Sequence, residues 1–102
     1  MSEGCIKNKN KYRSIFCLRL KHIRLERGLS QKELGKLAGI DEFVASTRIN
    51  RYEQGVHEAS LDTAGRLAEA LDIPLAYLYA EDDKLAEMIL KYENNNSLIK
   101  QN

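Results

Sequence analysis

Residues 30–55 read Ser30-Gln31-Lys32-Glu33-Leu34-Gly35-Lys36-Leu37-Ala38-Gly39-Ile40, then Asp41-Glu42-Phe43-Val44-Ala45, then Ser46-Thr47-Arg48-Ile49-Asn50-Arg51-Tyr52-Glu53-Gln54-Gly55. Ser30 and Glu33 have the S-x-x-E spacing of a capping box, in which each side chain satisfies the other's backbone N–H. Gly39 can take the positive φ that stops such a helix. A second helix follows and ends at Gly55. Its polar face carries Ser46, Thr47, Asn50 and Arg51. Hydroxyl, amide and guanidinium groups suit base edges in a DNA major groove. The stretch thus predicts two helices joined by a turn, and a DNA-binding regulator rather than an enzyme.

Working outward, Phe16, Leu20 and Ile23 fall at i, i+4 and i+7 in a first helix over residues 14–27, which Gly28 ends. Leu18 and Leu25 lie on a different face and are expected to cover another element or a partner subunit. In the second helix Leu34, Leu37 and Ala38 make the buried side. Gly35 costs that helix up to ~1 kcal/mol relative to Ala, which suggests that the third helix approaches closely there. Ile49 and Tyr52 should face the core. Ser60 caps a fourth helix with Leu61, Ala64, Leu67, Ala68 and Leu71 on one face. Pro74 opens a short fifth helix, residues 75–79, where proline is tolerated. Asp82 or Asp83 caps a sixth, residues 84–92, whose apolar side is Leu85, Met88, Ile89 and Tyr92. The division is a flexible basic arm (1–12), a DNA-binding unit (13–80), a C-terminal helix (81–92) open to dimerisation, and an Asn-rich disordered tail (93–102).

The 102 residues fit one domain. With no Trp, one Pro and abundant Leu, Ala, Glu, Lys and Arg, the fold class is all-α. Charge is polarised: residues 1–51 hold 12 Lys/Arg and 5 Asp/Glu, and residues 52–102 hold 4 and 10. One half can approach phosphate and the other cannot. Cys5 and Cys17 lack metal-ligand spacing and suit free thiols in a reducing cytoplasm, alongside the bacterial nucleoid. No apolar run spans a bilayer. His22 and His57 stand apart from other ligands, and Glu81-Asp82-Asp83 reads as an acidic helix start. No nucleophile motif or Gly-rich phosphate loop occurs. No metal, cofactor or catalysis is expected.

The ensemble Arg24, Gly28-Leu29-Ser30-Gln31, Leu34, Ala38-Gly39-Ile40, Ile49, Tyr52-Glu53, Gly55, Leu67-Ala68, Leu71, Ile73-Pro74 and Leu78 resembles the phage-repressor-like helix-turn-helix family, the Cro-like or XRE group. That implies a five-helix lambda-repressor-like DNA-binding domain, here with an additional C-terminal helix. Base contacts implied are Ser46, Thr47 and Arg51, with Arg48 and Asn50 beside them. Gln31, Lys32, Lys36 and Tyr52 are implied at the DNA backbone, Tyr52 also being a core candidate. Arg24 and Glu53 match the family's paired charges, an ion pair that orients the reading helix. One spacing departs: Gly39 to Ile49 is ten residues, where about six is usual. The extra residues amount to one helical turn. Either helix three begins early, near Asp41, or the turn is enlarged and Ser46 caps a helix over 46–54 with Phe43 and Val44 packed beneath. The enlarged turn is the favoured expectation. The implied partners are double-stranded DNA carrying an inverted repeat and a second copy of the chain, with repression the default. Alternatives are an antitoxin that also binds a toxin protein, and a protein-interaction module without DNA binding.

Overall fold

Local caps at Ser30, Asp41, Ser60 and Asp82 set four of the helix starts. In the computed structural model, which describes the backbone of residues 11–100 and side chains through residue 92, the order is α1 (Lys11–Glu26), α2 (Gln31–Leu37), α3 (Glu42–Gln54), α4 (Leu61–Leu71), α5 (Leu75–Tyr79) and α6 (Asp83–Lys100). No strand occurs among the described residues. The Ser30–Glu33 capping box is present in both directions, 3.0 Å from the Glu33 N–H to Ser30 Oγ and 2.8 Å from the Ser30 N–H to Glu33 Oε1. Ser60 accepts from the Thr63 N–H, and Asp82 accepts from the Leu85 N–H at the start of α6.

The expected enlarged turn between α2 and α3 is replaced by helix. Asp41 is the N-cap, its carboxylate accepting the Phe43 N–H at 2.9 Å. The four extra residues are therefore wound into one more turn of α3, and Ser46 lies within the helix. The reason is register. Ala45, Ile49 and Tyr52 fall at i, i+4 and i+7 and are all buried, so the added turn continues the same core stripe. Phe43 and Val44 do not pack beneath anything; Phe43 is 93% exposed.

The core is formed by Phe16, Leu20 and Ile23 of α1, Leu34 and Ala38 of the α2 region, Ile49 and Tyr52 of α3, and Ala64, Leu67, Ala68 and Leu71 of α4, closed by Tyr77 and Leu78 of α5. Two expected core residues are outside it. Leu37 is 62% exposed and Leu61 is exposed at the first turn of α4. Both sit at helix ends, where the last or first turn projects past its neighbour.

Two other boundaries shift. Lys11 and Tyr12 already belong to α1; residues 1–10 of the expected arm, with Cys5, lie outside the described residues. At the other end α6 continues to Lys100 through the expected tail, since neither Gly nor Pro interrupts residues 83–100. The last two residues lie outside the described set.

Candidate nucleic-acid interface

The site is built where α2 and α3 cross. Gly35 is buried, and a Cβ placed on it would lie 2.7 Å from the Ala45 Cβ. Two minimal residues thus let the helices approach almost backbone to backbone. Gly39, at φ 89°, turns the chain between them. Its N–H and that of Ile40 satisfy the Lys36 and Gly35 carbonyls.

A buried ion pair fixes the far end of α3. Arg24 Nε donates to Glu53 Oε2 at 2.6 Å and Nη2 donates to Oε1 at 3.1 Å, a bidentate arrangement. Arg24 Nη1 also donates to the Leu29 carbonyl at 2.8 Å, so one guanidinium ties α1 to α3 and to the loop before α2. Arg13 adds a second link, donating to the Gly55 carbonyl that ends α3.

The network reaches the surface through Gln31. Its Nε2 donates to Glu53 Oε1 at 3.1 Å and to Asn50 Oδ1 at 3.3 Å. A carboxylate only accepts, so the Gln31 amide nitrogen must face Glu53, and the atom it meets on Asn50 must be the oxygen. Both amide hydrogens of Gln31 are committed inside the protein. Gln31, expected at the DNA backbone, is here hydrogen-bonded to Asn50 and Glu53. The Asn50 NH2 group is left as an exposed double donor.

The outward face of α3 presents Phe43, Thr47, Asn50, Arg51 and Gln54, with Ser46 and Arg48 at its flanks; all are exposed. Arg48 and Arg51 make no ion pair among the described residues. Lys32 and Lys36 are exposed on α2, and Lys32 pairs with Glu42 at 3.7 Å. Tyr52 is only 5% exposed and belongs to the core. Phe43 on this face was not anticipated. Its signal was Asp41, a good N-cap placed so that Ala45 continues the Ile49–Tyr52 stripe.

A helix-turn-helix family model matches residues 20–78. The chain belongs to the phage-repressor-like helix-turn-helix family. Comparison with curated proteins finds no match. Among solved structures, the crystal structure of transcriptional regulator BswR is 42% identical, with a TM-score of 0.71, over 84% of this chain and 93% of that one. Among the described residues of this helix-turn-helix protein, no three His, Cys, Asp or Glu side chains gather to hold a metal, and no helix is long and apolar enough to cross a membrane.

Proposed function

We propose that the chain is a sequence-specific DNA-binding transcriptional regulator, with no catalytic role, that reads DNA through α3. The observation that carries this reading is the exposed stripe Thr47, Asn50, Arg51 on a helix braced from behind by Glu53, Arg24 and Gln31. Arg51 is the principal base reader, bonding O6 and N7 of guanine; Asn50 pairs with adenine through its free NH2 and the remaining lone pair of Oδ1. Thr47 contributes at the centre of the stripe, with Ser46 and Arg48 at its edges. Lys32 and Lys36 anchor phosphates.

Two copies, related by a two-fold axis, would bind half-sites of an inverted repeat one DNA turn apart. The exposed Leu85, Met88 and Tyr92 of α6 are the dimerisation surface, while Ile89 is partly turned to the core. Repression by occluding polymerase on the bacterial nucleoid is the default mode.

The test is selection of bound duplexes from a random pool, followed by titration at several salt concentrations. Lys32 and Lys36 at phosphates give a log–log salt slope of about −1.8 per protomer, at about −0.9 per contact. Arg51→Ala should lose preference at one base pair, by ~1–3 kcal/mol, and keep salt-dependent background binding. Lys36→Ala should weaken all sequences alike. Salt-independent or absent binding supports the interaction module instead, and a co-purifying small toxin supports the antitoxin.

A further inference from the structure

We infer that Phe43 is a further specificity-determining residue, whose ring seats against the C5-methyl group of a thymine in the major groove. The inference rests on the DNA-reading role proposed for α3. It starts from a phenyl ring that is 93% exposed on the first turn of that helix. Single exposed apolar side chains are ordinary on protein surfaces. The placement of this one is not. Phe43 stands at i relative to Thr47 at i+4, Asn50 at i+7 and Gln54 at i+11, so it heads the same outward stripe as the polar readers. It is there because the extra turn begins at Asp41.

Chemistry selects the occupant. A phenyl ring offers no hydrogen-bond donor or acceptor to a base edge. The one apolar group presented in the major groove is the thymine methyl, and Phe is among the side chains that contact it. The carboxylates beside Phe43 are already engaged. Asp41 accepts the Phe43 N–H, and Glu42 faces Lys32. Only Glu42 is paired with a cation; Asp41 keeps its charge and sits at the N-cap, against the positive end of the α3 dipole. Exposed Lys36 on α2 supplies charge complementary to the flanking phosphates.

The test uses the full chain and the duplexes it enriches from a random pool. Each thymine is replaced singly by uracil, which removes only the methyl group. Wild type should lose about fourfold in affinity at one thymine position per half-site, the worth of one buried carbon at ~0.8 kcal/mol. Phe43→Ala should abolish that loss at that position and leave the effects of other base changes intact. Its helicity and melting should match wild type, since the side chain is exposed. Equal uracil effects in both proteins overturn the inference while the regulator reading stands. So does Phe43→Ala binding every duplex as wild type does, which would assign the ring to a protein partner. If wild type enriches no duplex, the regulator reading fails and this inference fails with it.

Discussion

At Gly35 a single hydrogen atom decides how α2 and α3 meet. Ala would raise helix propensity by up to ~1 kcal/mol, yet its Cβ would sit 2.7 Å from the Ala45 Cβ and 3.1 Å from the Ala45 Cα and O. Two of those three atoms are backbone and have no rotamer to yield. Overpacking of this kind costs ~1–3 kcal/mol, so Gly35→Ala should destabilise the fold on balance. Denaturant unfolding measures it, and Ala45→Gly in the same chain should restore only part of the loss, because the backbone atoms stay. The Arg24–Glu53 pair sets the other constraint on α3. Removing one partner strands a buried charge, at ~3–5 kcal/mol. Glu53→Ala should therefore be severe, and Arg24→Met with Glu53→Met should cost clearly less than the two single changes together. Strict additivity in that double-mutant cycle would deny the coupling.

Among the helices, those whose ends carry their own chemistry were legible in the sequence. Ser30 with Glu33, Ser60, Pro74 and Asp82 each mark a helix start, and the structure has a helix at every one. The turn before α3 misled because a ten-residue spacing fits either a long turn or a longer helix, and only the burial of Ala45 against Gly35 separates them. The α6 extension to Lys100 was missed because an Asn-rich composition suggests disorder while containing no helix-breaking residue. Within the site, the polar stripe could be read from residue type, whereas the internal engagement of Gln31 needed the third dimension. The capping box also carries a pH prediction. Hydrogen bonds from the Ser30 backbone N–H, then from its side chain, hold the Glu33 carboxyl below its usual range. A lowered folded-state value means the stabilisation is complete above the ordinary glutamate range and is lost as pH falls through the lowered value. The melting temperature of wild type should therefore exceed that of Glu33→Ala at neutral pH, and the gap should close in acid. A gap that is constant with pH would show that the charged carboxylate is not what caps α2.

Across the whole molecule, the basic half turns out to be less of a DNA surface than its charge count suggests. Of its cations, Lys11 pairs with Glu81, Arg24 with Glu53, and Arg19 with Asp83, while Arg27 donates to the Leu71 carbonyl at the end of α4. Arg19 and Arg24 of α1, with Arg27 just after it, are therefore clamps on other helices. Arg19 matters most for assembly: it also donates to the Ala80 carbonyl at 2.9 Å, holding the α5–α6 junction and with it the direction of α6. So anchored, α6 packs inward through Ala86, Ile89 and Leu90 and leaves Met88 64% and Tyr92 69% exposed. If this outward face joins two copies, a charge placed there should separate them without disturbing either core. Met88→Glu should sediment as a monomer with an unchanged circular dichroism spectrum. Its affinity for an inverted repeat should fall by about 10²- to 10⁴-fold, the avidity supplied by linking two half-site contacts, while affinity for an isolated half-site should stay near that of wild type. A Met88→Glu chain that remains a dimer, or that loses the half-site as well, would place the two-fold contact elsewhere on the molecule.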